Sequence, residues 1–249
     1  MREGPAMTHD TLLQARGLGI SFGGVDAVGA VDFDLRPREL RCLIGPNGAG
    51  KTTFFRLLSG QYAPSRGTIR FDGQPLQGLR PFEIARRGIG VKTQVPSLFE
   101  GLSLRANIEL AASRRLRGAE LAAEVEAVLH RIGLYELRET PCAELAHGQR
   151  QWVELGQILA SRPKLALLDE PAAGMTHDES LRTVALIRQI TRESAVIVVE
   201  HDMEFIRLLG AEVTVFERGR IIAQGSFAQV ARDPQVRAAY LGRKEQADA

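Results

Sequence analysis

Gly45-Pro-Asn-Gly-Ala-Gly-Lys-Thr-Thr53 is the stretch on which the fold turns. Gly45, Gly50, Lys51 and Thr52 occupy the fixed positions of the pattern G-x-x-x-x-G-K-[ST]. That spacing has a physical reason. Glycines let successive backbone N–H groups turn inward and form a nest for phosphate oxygens, and a helix starting near Lys51 adds the positive end of its dipole. Lys51 reaches the β- and γ-phosphates, and the Thr52 hydroxyl is placed to ligate Mg2+. The flanks agree with this reading: Leu40–Ile44 is a short apolar strand ending at Gly45, and residues 52–58 have helical spacing. A plain glycine turn before an ordinary helix is the alternative, and the strand–loop–helix order argues against it.

The chain has 249 residues, enough for one large α/β domain or a core with a small subdomain. Its 44% hydrophobic and 25% charged residues match a globular protein, and a net charge of +2 provides no broad basic field for a nucleic-acid partner. Cys42 and Cys142 stand far apart and in no metal-ligand spacing, so reduced thiols of a cytosolic protein are expected. The longest apolar runs, Leu165–Leu168 and Ala195–Val199, are strand-sized, well short of the ~20 residues a membrane span needs. Residues 1–10 lack the apolar core of a signal peptide and read as a flexible leader, with Met7 as an alternative start. Residues 11–242 read as one domain and 243–249 as a tail. Any membrane role is expected to come through partners.

Short strands at Leu18–Phe22, Val31–Leu35 and Leu40–Ile44, with a turn at Arg36–Glu39, predict an antiparallel β-layer leading into the loop, and Gly67–Gly73 adds another short strand. After Gln94 the composition shifts to Leu, Ala, Arg and Glu. Leu104–Ser113 and Gly118–Ile132 show helical apolar spacing, so a helical subdomain is expected over about 96–160. A second α/β run follows. Lys164–Leu168 and Ala195–Val199 read as buried strands around a helix at Glu179–Thr191; Val213–Phe216 and Ile221–Ala223 read as small strands, and Phe227–Leu241 as short helices.

Several of these strands end in chemistry. Leu165–Leu168 runs into Asp169-Glu170, and strands of open α/β sheets present ligand-binding groups at their carboxyl ends. Asp169 is the candidate to hold Mg2+, and Glu170 to polarise an attacking water. A solvent-exposed strand end is the bland reading, and the phosphate loop upstream weighs against it. His201, at the tip of the next strand, is placed for a γ-phosphate or the attacking water; alone, a histidine is more often structural. Gln94 ends the predicted strand Ile89–Thr93 and is a candidate sensor of the metal and water site. Leu145-Ala-His-Gly-Gln149 opens a helix over Gln151–Ala160, and its glycine marks a second anion-directed helix start. One nucleotide does not need two. The surplus suggests a nucleotide held between two copies, against the bland reading of a glycine cap.

Together these segments resemble the ATP-binding subunit of ABC transporters, over roughly Leu12 to Gly242. The motifs stand in the family's order: the aromatic Phe22, the phosphate loop 45–53, the Q-loop Gln94, the signature 145–149, Asp169-Glu170 and the switch His201. The resemblance implies a P-loop NTPase with a RecA-like core, an antiparallel β subdomain and an α-helical signature subdomain. It implies ATP and Mg2+ as cofactors. Phe22 would stack on adenine; Gly45, Pro46, Asn47, Gly48, Ala49, Gly50, Lys51, Thr52 and Thr53 would cradle the phosphates. Thr52, Gln94 and Asp169 would position the metal, while His147, Gly148 and Gln149 would face the nucleotide of a second subunit. Lys51, Glu170 and His201 would carry hydrolysis.

The implied partners are a second ABC ATPase, identical or related, transmembrane permeases docked near Gln94–Ser103, and indirectly a solute-binding protein. The implied location is the inner face of the cell membrane. The ending Val236–Gly242 is similar to importers of branched-chain amino acids and amides. The runs 147–156, 170–176, 200–205 and 40–47 resemble urea-importer ATPases more narrowly. A nucleic-acid or ribosomal ABC protein is the competing class, and a single cassette without heptads or a basic block disfavours it. Three departures from the pattern bear on mechanism. Ala146 and His147 replace the usual Ser and Gly, and a lost charge-assisted hydrogen bond costs roughly 1.5–3 kcal/mol unless backbone N–H groups carry the contact. The D-loop reads Ala173-Gly-Met-Thr176 without its aspartate, and Val91–Pro96 lacks the usual aromatic before Gln94.

Overall fold

The structure, a computed structural model, describes residues 11–94 and 97–241. The expected leader, the tail with Gly242, and Val95-Pro96 at the expected start of the helical subdomain lie outside the described residues. The chain runs through β1 (Leu13–Phe22), β2 (Val25–Leu35), β3 (Leu40–Ile44), α1 (Lys51–Leu58), β4 (Arg66–Phe71), β5 (Gln74–Pro75), α2 (Pro81–Arg86) and β6 (Ile89–Lys92). Next come α3 (Leu104–Ala112), α4 (Gly118–Arg131), α5 (His147–Ser161), β7 (Leu165–Asp169), α6 (His177–Thr191) and β8 (Ala195–Val199). The described chain closes with α7 (Met203–Leu209), β9 (Glu212–Glu217), β10 (Arg220–Ser226), α8 (Phe227–Val230) and α9 (Pro234–Leu241).

The central sheet has the order β10-β9-β3-β8-β7-β6. Its pairings are parallel except for β10 against β9. Strands β7 and β8 are buried along their whole length, as expected where both faces of a parallel sheet are covered. Successive side chains point to opposite faces. Leu165 and Leu167 therefore join a core with α1 and the β-layer, while Ala166 and Leu168 join one with α3–α7. The register pairs Lys92 with Leu168, Asp169 with Val199, and Leu43 with Val199. The carboxyl ends of β3, β6, β7 and β8 are thus nearly level, which brings residues from four distant stretches to one edge.

The antiparallel layer has the order β2-β1-β4-β5. Strand β1 is longer than the sequence suggests, because bulges near Gly17 and Gly19 break the apolar alternation without ending the pairing. The helical subdomain packs Ile108 of α3, Val125 and Leu129 of α4, and Trp152 of α5 into one cluster. Helix α5 begins at His147, earlier than the expected Gln151. Helices α2 and α7 were not anticipated. Both are too short for a clear apolar period, and each starts on local chemistry instead: Pro81 at the first turn of α2, and Asp202 capping Glu204 and Phe205 amides in α7.

Candidate nucleotide site

The phosphate loop leaves β3 and enters α1 through Gly50, whose φ of +103° is open to glycine; a Cβ there would lie 2.4 Å from the Ala27 carbonyl. The loop is therefore pressed against β2. Ala49 is buried beneath it, while Asn47, Gly48 and Thr52 are exposed. The Lys51 ammonium donates to the Gly45 carbonyl at 2.6 Å and the Pro46 carbonyl at 3.1 Å, which holds its charge over the loop. Phe22 lies exposed at the end of β1 and meets Tyr62 edge-on with centroids 5.4 Å apart, forming an aromatic platform.

Glu170 follows β7 with φ of +46°, a left-handed conformation that a side-chain-bearing residue adopts at a cost. Its amide donates to the Val199 carbonyl at 2.9 Å, fixing the turn. The carboxylate then sits between two of the expected partners. Gln94 Nε2 donates to Oε2 at 3.0 Å, and His201 Nδ1 lies 3.4 Å from Oε1. Asp169, one residue earlier, is buried, and burial and then the neighbouring Glu170 push its carboxyl up; Lys92, Arg56 and Lys51 pull the other way. Asp169, the Thr52 hydroxyl and the Gln94 amide oxygen, the residues expected to hold Mg2+, would offer it only hard oxygen donors, which suit that ion.

The signature forms a second cluster. Gln149 Oε1 accepts from the Ala146 amide at 2.9 Å, half of a capping box that Ala146, having no side-chain oxygen, cannot complete. His147 Nε2 lies 3.0 Å from the Ala173 carbonyl, so the two departures from the family pattern touch each other. At Gly148 a Cβ would sit 2.4 Å from Glu179 Oε1. Glu179 is held in place by Thr176, accepting from its amide at 2.9 Å and its hydroxyl at 3.0 Å. Segment 170–176 therefore joins the Gln94–Glu170–His201 cluster to the start of α5.

Sequence reasoning missed three buried polar groups that shape this site. Glu200 is 2% exposed; it accepts from the Ala172 amide at 3.2 Å and the His201 amide at 3.1 Å, tying His201 to the turn after β7. Burial pushes its carboxyl up despite those bonds. Lys92 and Glu154 are a buried ion pair, Lys92 standing two residues before Gln94. An acid ending the wholly apolar run Ala195–Val199 was a signal for Glu200. For Lys92 and Glu154 nothing in the sequence gave one.

A phosphate loop, two acids at a level strand edge and a second glycine-led helix start define a nucleotide-hydrolysing cassette. Residues 28–173 match the ABC transporter family, and residues 220–245 match the branched-chain amino acid ATP-binding cassette transporter family. The chain is 34% identical over 249 residues to the high-affinity branched-chain amino acid transport ATP-binding protein BraF of Pseudomonas aeruginosa, covering 93% of this chain and 98% of that protein. LivG of Escherichia coli, of the same description, is also 34% identical with 93% and 98% covered. The crystal structure of the ADP conformation of MJ1267, an ATP-binding cassette of an ABC transporter, superposes with a TM-score of 0.81, 23% identity and 93% and 99% of the chains covered; it supports the fold. The chain belongs to the ABC transporter family and is an ATP-binding, ATP-hydrolysing member of it. The narrower likeness to urea importers has no counterpart in these relatives, which are named for branched-chain amino acid transport. Among the described residues, no helix is long and apolar enough to cross a membrane.

Proposed function

We propose that this chain energises a membrane importer of branched-chain amino acids, working as one half of an ATPase pair on the inner face of the cell membrane. The observation that carries the reading is Glu170 held between Gln94 and His201 at the edge that also bears the phosphate loop. The cargo follows the relatives BraF and LivG together with the carboxyl-terminal match. Urea or a short amide is the second reading, and it rests on the likeness of runs 147–156 and 170–176 to urea-importer ATPases.

Each nucleotide would lie between one chain's phosphate loop and the signature helix of the other, with Phe22 against adenine. Lys51 and the loop amides would neutralise phosphate charge, and the α1 dipole would add to them. Mg2+, held by Thr52, Gln94 and Asp169, would supply charge neutralisation between the phosphates. Glu170 would orient and activate water, and His201 would anchor the γ-phosphate. Catalysis of this kind is mostly positioning and electrostatic stabilisation. ATP would close the pair and hydrolysis release it, biasing a permease between two states. A cavity of about 540 Å³ between the core and the helical subdomain, near Lys92 and Ser97, is the docking place. Phe82, Phe99 and Leu110, exposed by 45%, 59% and 46%, offer a permease helix an apolar seat there.

The test is co-purification of the assembly from native membranes, followed by ligand binding to its solute-binding protein. Binding of leucine, isoleucine or valine supports the first reading and binding of urea or a short amide the second. Absence of any permease in the assembly overturns both.

A further inference from the structure

Lys92 closes β6, two residues before Gln94, and Glu154 lies about two turns into α5 from His147. Their charged ends are 3.5 Å apart with side chains 1% and 2% exposed. Glu154 Oε1 also accepts from the Ser97 amide at 2.9 Å, so one carboxylate grips the chain on both sides of Gln94. Lys92 Nζ and Glu154 Oε2 have no hydrogen bond besides their mutual attraction. Burial lowers the lysine and raises the glutamate, and the pair resists both by facing each other; Asp169 and Glu200 also favour charge on Lys92.

Such a pair is a poor way to gain stability, since well-packed apolar residues of the same volume usually serve as well or better. What it does is penalise separation. Any slide of β6 against α5 would leave two charges unpaired where water cannot reach them. Because α5 is one unbroken helix, its far end moves with Glu154.

We propose that Lys92–Glu154 is the strut joining Gln94 to the signature helix. A shift of Gln94 toward nucleotide in one chain is passed to Gly148, which completes the site of the other. Lys92 and Glu154 are positioning residues, and the inference rests on the paired-site reading above.

The test uses full-length protein carrying Glu170→Gln, together with any second ATPase subunit that co-purifies. Dimerisation is followed by light scattering against ATP concentration. Adding Lys92→Met and Glu154→Leu together should raise the ATP needed for half-maximal dimerisation about tenfold, while ATP affinity of the monomer changes less than about twofold. Lys92→Met with Glu154→Gln, which keeps the Ser97 bond and leaves no buried charge without its partner, should move it the same way and serves if the first double variant does not fold. Dimerisation at the parent's ATP concentration overturns the inference alone, as does a monomer affinity that falls in step with dimerisation. If the Glu170→Gln parent does not dimerise with ATP at all, the paired-site reading fails and the inference goes with it.

Discussion

Gln94 Nε2 donates to Glu170 Oε2 across 3.0 Å, so the residue expected to sense nucleotide already touches the residue expected to activate water. The two come from β6 and β7, which are neighbours in the sheet and level in register. His201, from the tip of β8, lies on the other side of the same carboxylate at 3.4 Å. Three strand ends thus converge on one acid, and the left-handed backbone at Glu170 turns that acid toward them.

Glu170→Gln keeps the shape of this cluster and removes the carboxylate proposed to act as base. Hydrolysis should fall by about 10² to 10⁴-fold, the range of general-base contributions, while ATP-dependent dimerisation persists. Steady-state ATPase assays and light scattering check the two halves, and parent-like turnover would refute the assignment.

Lys51→Met removes the cation held over the phosphate loop by Gly45 and Pro46. Loss of charge-assisted bonds worth about 1.5–3 kcal/mol should weaken ATP binding roughly 10- to 150-fold with little change in melting temperature. Calorimetric titration reads the affinity. An unchanged value would mean that the loop amides suffice.

Gly148→Ala places a methyl against Glu179, which is tied to Thr176. Ejecting that cap costs about 1 kcal/mol and alanine in a helix regains about as much, so stability should barely move. Hydrolysis should nonetheless drop by more than tenfold, since the methyl stands at the anion-directed end of α5. A melting curve beside an ATPase assay separates the two effects.

Glu200 gives a pH signature. Its carboxyl is pushed above the ordinary 4.5 by burial. Between the ordinary and the raised value the folded protein keeps a proton that the unfolded chain has released, so stability falls as pH rises through that window. The stability difference between the parent and Glu200→Gln should therefore decline from pH 4.5 upward and then level off. Denaturant melts across that range test the sign, and a difference that grows with pH would contradict it. Cys42, also buried and pushed up to about 12, should stay unreactive toward thiol reagents until the protein unfolds.

Sequence made the strand-borne chemistry legible because it rests on local pattern. Gly45–Thr53 and Asp169-Glu170 each follow an apolar run that can only be a buried strand. The β-layer and the helical subdomain were visible as changes of period and composition. The polar groups beneath the site were not. Lys92 and Glu154 stand 62 positions apart (154 − 92) and look like surface charges on an edge strand and a helix. Their meaning lies in the packing of α5 on β6, which no window of sequence contains. In the sequence Gly148 reads as an anion site, yet the close approach of Glu179 is a second reason for glycine there, and it depends on where α6 starts.

The most direct measurement is a structure of the Glu170→Gln protein with ATP and Mg2+ bound. It should show two cassettes, head to tail, with each triphosphate touching Lys51 of one chain and the Gly148 amide of the other. A single chain enclosing its own nucleotide, with Gly148 distant from every γ-phosphate in the closed state, would contradict the account.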